Sequence, residues 1–145
     1  MNFMQADKSI QPHIAQEYGE VAARHLHFED GFTLVAIDED KVVGFASFVW
    51  RGLPKPLDSL RECFIDIIET RSEYRRNGIA SRLLELGEKH AKSKGVYQLR
   101  AWSSDDKAGA LSMWAALQFG LAPAVVYPVG KEVHGYFATK VLHLD

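Results

Sequence analysis

The sequence predicts an α/β fold made of one domain, 1–145, around a mixed sheet. Three observations carry that prediction. Short β-rich runs alternate with segments of helical period, in the order strand, helix, several strands, helix, strand, helix, two strands. An apolar strand in the middle of the chain runs through a short basic loop into an amphipathic helix. The length of 145 residues suits one core, and about two-thirds of the unfolded surface is buried at such a size, so neither metal nor disulfide is needed.

Taken in order, Phe3 to Ala6 is a short first strand. Ile10 to Leu26 has apolar residues at Ile14, Tyr18, Val21, Ala22 and Leu26, a helical spacing, with Pro12 in the first turn. Phe32 to Ile37 and Val42 to Trp50 are strands joined by the polar turn Asp38-Glu39-Asp40. Gly52 to Leu57, with Pro54 and Pro56, is a loop, and Cys63 to Ile68 is the next strand. A helix follows from about Asn77 to Ser93, with Ile79, Leu83, Leu84 and Leu86 on its apolar positions and Gly95 as the stop. Tyr97 to Trp102 is a strand, and Asp105 or Asp106 caps a helix to about Leu117. Ala124 to Tyr127 and Gly135 to Leu142 close the chain as a hairpin.

Composition narrows the function classes. Hydrophobic residues make up 47% and charged residues 25%, the balance of a soluble globule. A net charge of −2 argues against a nucleic-acid partner. No run of about 20 apolar residues and no apolar leader is present, so the expectation is a cytoplasmic protein without a membrane partner. The single cysteine, Cys63, lies in an apolar strand and reads as a buried thiol. The six histidines show no ligand spacing, so no metal is expected.

The segment that carries chemistry is FIDIIETRSEYRRNGIASRLL, residues 64–84. The first turn of a helix has free N–H groups and the positive end of the dipole, and anions bind there. Gly78 admits a close backbone approach, Arg75 and Arg76 add positive charge, and Ala80 is small. The segment describes a diphosphate site. Neither GxxxxGK[ST] nor GxGxxG occurs, so the common nucleotide loops are excluded. On its own, the segment is equally compatible with a solvated helix start.

The wider pattern resembles the GCN5-related N-acetyltransferase (GNAT) family. Arg75, Gly78 and Ala80 match the family's Arg/Gln-x-x-Gly-x-Gly/Ala loop after its fourth strand. Leu83-Leu84 matches the apolar pair in the next helix, Leu99 to Trp102 the next strand, and Ala110 to Phe119 the family's later helix. The resemblance covers nearly the whole chain. It implies a mixed, mostly antiparallel sheet of six to seven strands flanked by helices, splayed at the fourth and fifth strands. It also implies acetyl-coenzyme A (acetyl-CoA) as cosubstrate, a primary amine of a small molecule or peptide as acceptor, and direct attack of the amine on the thioester. Backbone groups of Ile68 and Thr70 would pair with the pantetheine arm, and the amides of Arg76, Asn77, Gly78, Ile79 and Ala80 would hold the pyrophosphate. Dimers are common in the family, so a homodimer is among its implications.

Two departures stand out. Where the family often has a tyrosine that protonates the leaving thiolate, this chain has Trp114, whose indole N–H is a very poor acid. Trp114 either packs in the core or lines the thiol end, and Tyr127 or a water supplies the proton. A pantetheine-binding asparagine is also missing. Counting from either side reaches Asp105 or Lys107, and Lys107 either faces the 3′-phosphate or solvent. Trp114 therefore also admits a second class of function, a non-catalytic acyl-CoA-binding or regulatory module.

An attacking amine must first lose a proton, which calls for a base. Asp66 interrupts the apolar run FIDII, where a charge is costly without a partner or a task. Strand alternation puts it on one face with Glu62, Phe64 and Ile68, and Glu69 on the other. Asp66 is the first candidate for base or substrate anchor and Glu62 the second, with an edge position or a salt bridge as the competing reading. The resemblance further implies an acceptor pocket built by the first helix region, the loop near Gly52 to Leu60 and the final hairpin; Glu29, Asp30, Asp58, Trp50, Tyr127 and His134 in those parts would suit a cationic amine.

Overall fold

In the computed structural model, which describes residues 1–142, seven strands form one mixed sheet in the order β1-β2-β3-β4-β5-β7-β6. The strands are β1 (Asn2–Ala6), β2 (Gly31–Asp38), β3 (Lys41–Gly52), β4 (Arg61–Thr70), β5 (Gln98–Ser104), β6 (Gly120–Val126) and β7 (Val133–Val141). Every neighbouring pair is antiparallel except β4 and β5, which run parallel. The final hairpin folds back so that β7 lies beside β5 and β6 forms the edge.

The helices cover both faces. On one side α3 (Ile79–Ser93) buries Ile79, Leu83, Leu84 and Ala91 against Phe48, Cys63 and Ile65, together with Trp114 of α4 (Ala108–Ala116). Ile79, Leu83 and Leu84 each contribute about 1.5–3 kcal/mol by leaving water. On the other side Ile14 of α1 (Gln11–Tyr18) and Ala22 and Ala23 of α2 (Glu20–Arg24) pack on Val35, Val42 and Phe45. No helix among the described residues is long and apolar enough to cross a membrane.

Three sequence expectations change. The helix expected from Ile10 to Leu26 is two helices, because Gly19 takes φ 101° and ends α1 before α2 begins. Neither Asp105 nor Asp106 caps α4. Lys107 holds the N-cap position without a side-chain bond, while Asp106 accepts from Ser104 instead. Most consequential is a β-bulge: Phe48 pairs with Ile65 and Ser47 with Ile67, leaving Asp66 as the extra residue of β4. The bulge breaks strict alternation. Ile68 therefore packs with Cys63 and Ile65 on the α3 side, and does not share the face of Glu62 and Phe64 as a regular strand would require.

Candidate active site

The loop between β4 and α3 is built to present amides. A short 3-10 turn, Ser72–Tyr74, leads in, and side chains pin it to the body. Tyr74 Oη donates to Asp38 Oδ2 at 3.0 Å, and that hydrogen bond holds the phenol above its usual pKa. Arg71 Nη2 donates to Glu17 Oε2 at 2.8 Å and its Nε to the carbonyl of Val42 at 3.1 Å. Asn77 closes the loop from within, its Nδ2 donating to the carbonyl of Tyr74 at 3.1 Å.

Arg76 and Gly78 both take left-handed conformations, φ 69° and 72°. Glycine does so freely, whereas a left-handed arginine costs about 1 kcal/mol. Such turns make the concave arrays of N–H groups that bind anions. Here the amides of Arg76 through Ser81 have no acceptor among the described residues, and Arg82 makes the first helical bond, to Gly78, at 2.9 Å. Local strain and a row of unsatisfied donors therefore coincide at the start of α3.

These amides border a groove of about 290 Å³. Its walls are Thr70 and Tyr74, the loop residues Arg75, Arg76 and Gly78, the first turn Ile79 to Ser81, and Gly109 and Met113 of α4. Gly109 and Met113 lie one helical turn apart. The groove opens at the end of β4, where the sheet parts. The ladder between β4 and β5 ends at Ile65 and Ala101; beyond it Ile67 to Thr70 pair only with β3, the bulged Asp66 pairs with neither strand, and Trp102 to Ser104 pair only with β7. The splay expected at the fourth and fifth strands is therefore present. Arg71 N–H donates to Val43 on β3, and strand alternation then turns the N–H and C=O groups of Ile68 and Thr70 outward into the gap. A diphosphate joined to an extended, amide-bearing arm fits these donors and this open edge.

The two candidate carboxylates differ sharply in surroundings. Glu62 is fully buried. Arg100 grips it with Nε at 2.9 Å from Oε1 and Nη2 at 2.6 Å from Oε2, and Gln98 Nε2 donates to Oε1 at 2.8 Å. Burial alone would raise its pKa; the hydrogen bonds from Arg100 and Gln98 and the charges of Arg100 and Arg51 outweigh it and hold the carboxyl below its usual value. A carboxylate so saturated has little capacity left for a substrate amine. Asp66, at the first unpaired residue of the gap, keeps a 19% exposed side chain and bonds His25 and His27 through Oδ2 alone.

The other sequence candidates are dispersed. Trp114 is buried, edge-on to Phe119 with ring centroids 4.9 Å apart, and its Nε1 has no acceptor among the described residues. It points into the core, and the groove is lined by its neighbour Met113. Lys107 is exposed at the start of α4 and does not line the groove either. Tyr127, 63% exposed, reaches only Glu132 among the described residues, at 3.4 Å. Trp50 packs on Phe32 and His90. Glu29 and Asp30 line an open groove with Lys8, Gln11, Leu26 and Phe28. Cys63 is buried and its thiol is pushed up to about 12 by burial and the charge of Glu62, which suits packing and not nucleophilic chemistry. No cluster of three or more potential metal ligands occurs among the described residues.

Residues that pattern reading missed are Tyr74, Ser81, Gly109 and Met113 on the groove and His25 and His27 at Asp66. The spacing of Gly109 and Met113 on one helix face was the available signal. The histidines offered none, because 39 residues separate His27 from Asp66.

The chain matches the model of the acetyltransferase (GNAT) family over residues 2–119. No curated protein matches it. Among solved structures, it is similar to the ribosomal-protein-S18-alanine N-acetyltransferase from Escherichia coli, at 18% identity over 99% of this chain and 95% of that one, with TM-score 0.75. It is similar to NAA60 of Arabidopsis thaliana in complex with acetyl-CoA, at 13% identity over 97% and 98%, with TM-score 0.78. It also resembles yncA, a putative acetyltransferase from Salmonella typhimurium with its cofactor acetyl-CoA, at 19% identity over 100% and 95%, with TM-score 0.73. At these identities the structures share the fold.

Proposed function

The chain belongs to the GNAT acetyltransferase family, and from that premise we propose that it transfers the acetyl group of acetyl-CoA to a primary amine of a small molecule or peptide by direct attack. The observation that carries the reading is the row of unpartnered amides from Arg76 to Ser81, bordering a groove that continues into the open edge of β4. In this reading the amides and the Arg75 and Arg76 side chains bind the pyrophosphate, and the outward groups of Ile68 and Thr70 hold the pantetheine arm. A fixed N–H aimed at the thioester oxygen stabilises the charge that grows there. Acetyl-CoA supplies the activated acyl group. The protein supplies position and a proton acceptor.

Asp66 is the proposed acceptor of the amine proton, since it stands where the strands part and has an oxygen free; Glu62 is assigned to structure through Arg100. The departing thiolate takes its proton from water, because Trp114 is turned into the core and Tyr127 does not line the groove. A cationic acceptor is favoured by Asp66, Glu29 and Asp30 on one side of the molecule.

The absence of a hydroxyl at Trp114 favours one competing reading, a module that binds acyl-CoA without turning it over. Thiol release from acetyl-CoA with a panel of amines decides between them. The enzyme reading expects amine-dependent release; saturable CoA binding with no release on any amine favours the module, and no CoA binding defeats both.

A further inference from the structure

The carboxylate at the bulge is held by a built arrangement. His27 Nε2 stands 2.7 Å from Asp66 Oδ2, and the other ring nitrogen, Nδ1, stands 3.0 Å from Asp30 Oδ2. His25 Nδ1 lies 3.3 Å from the same oxygen of Asp66. The backbone of His27 is fixed from the sheet. Its N–H donates to Ser47 Oγ at 2.7 Å, its carbonyl accepts from Thr33 Oγ1 at 2.8 Å, and these two fully buried hydroxyls bond each other at 2.8 Å. A buried hydroxyl pair in adjacent strands therefore sets where the imidazole sits. All contacts to Asp66 fall on Oδ2; Oδ1 accepts from no described residue.

Resting on the reading of the chain as an amine acetyltransferase, we propose that His27 is a positioning residue for Asp66, clamped from behind by Asp30, and that it holds Oδ2 so that Oδ1 meets the ammonium of the acceptor. A base oriented by a second group, itself oriented by a third, is the general logic of activated sites. Each ring nitrogen faces one carboxylate oxygen, so the two contacts together fix the position and the plane of the imidazole. In the step itself an N–H bond of the ammonium breaks and the proton passes to Oδ1. The nitrogen keeps the electron pair with which it attacks, and the protonated Asp66 returns its proton to water. The charged and titratable groups facing the ring are Asp66 from β4, Asp30 from the loop before β2 and, through the shared Oδ2, His25 at the end of α2.

The test uses His27→Gln, which cannot bridge both carboxylates, and Asp30→Asn. Acceptors are an alanine-initiated peptide, spermidine and kanamycin, with thiol release from acetyl-CoA as readout. His27→Gln is expected to lower kcat/KM for any accepted amine by about tenfold or more at neutral pH, with KM for acetyl-CoA unchanged. The deficit should shrink as pH rises toward the amine's own pKa, because the neutral amine then arrives without help. Asp30→Asn should show the same pattern, weaker. A wild-type pH–rate profile in His27→Gln overturns the proposal, and so does an equal loss at every pH. A second measurement needs no acceptor. Nitrogen-15 spectra of the imidazoles should show the Nε2 signal of His27 shifted in Asp66→Ala and its Nδ1 signal shifted in Asp30→Asn. His27 signals unchanged in both variants overturn the proposal even if the enzyme is active. A wild-type protein that neither binds acetyl-CoA nor releases thiol defeats the acetyltransferase reading instead, and the spectra still decide the clamp.

Discussion

The two halves of β4 are the instructive contrast. Glu62 to Ile65 are paired on both sides, and Glu62 there is buried and gripped by Arg100 and Gln98. Ile67 to Thr70 have a neighbour on one side only, and the bulged Asp66 beside them keeps an oxygen free. Both carboxylates interrupt the same apolar strand four residues apart. A buried charge needs compensation wherever it lies. What separates the two is whether that compensation uses the whole group. The closed half consumes it, and the open half leaves a remainder.

The largest effect should come from the closed half. Glu62→Gln leaves the guanidinium of Arg100 without its carboxylate and should cost about 3 kcal/mol of unfolding free energy by urea titration. Glu62 has a depressed pKa when folded, so its contribution is present above the unfolded carboxylate value and is lost as pH falls through the folded one. The stability of the parent protein should therefore drop in acid more steeply than that of Glu62→Gln. Equal slopes would mean the pair is not linked to folding.

Asp66→Asn should invert the pattern: kcat about 100-fold lower, with unfolding free energy within about 1 kcal/mol of the parent. If this variant instead loses as much stability as Glu62→Gln, the two halves of β4 are equivalent and the contrast fails. A smaller effect is expected just past the open half. Arg76→Gly relieves a left-handed arginine and should gain up to about 1 kcal/mol of stability, while weakening CoA binding severalfold by titration calorimetry. Gains in both would show that the arginine takes no part in binding. The smallest signal is reactivity. Cys63, in the closed half with its thiol pushed up to about 12, should react with a thiol reagent only as fast as the native state opens. Rapid labelling would show that the half is not closed.

Much of the architecture was legible from pattern alone. The two β-rich apolar runs around a polar turn from Phe32 to Trp50 and the helical period from Ile79 to Leu86 are local properties, and the strands and helix appear where they place them. The basic loop that opens α3 was legible for the same reason, since an arginine pair, a glycine and a helix start are neighbours in the chain. The break at Gly19 was missed because glycine is tolerated inside a helical pattern, and only its positive φ reveals a stop. The partners of Glu62 and Asp66 were out of reach, as Arg100 and His27 are 38 and 39 residues distant.

Local patterns in the chain carried the positions of the strands and helices, the basic glycine-bearing loop at the start of α3, and the motifs by which the chain resembles its family. Each is written within a few turns of chain. Only the tertiary structure decided that Trp114 faces the core, that a bulge at Asp66 turns Ile68 to the other face, and that one carboxylate is spent on Arg100 while the other is held by a histidine with an oxygen to spare. The reason is physical: the cost of a buried charge is set by the groups that surround it, and those groups are brought together by sheet register and not by neighbourhood in the chain.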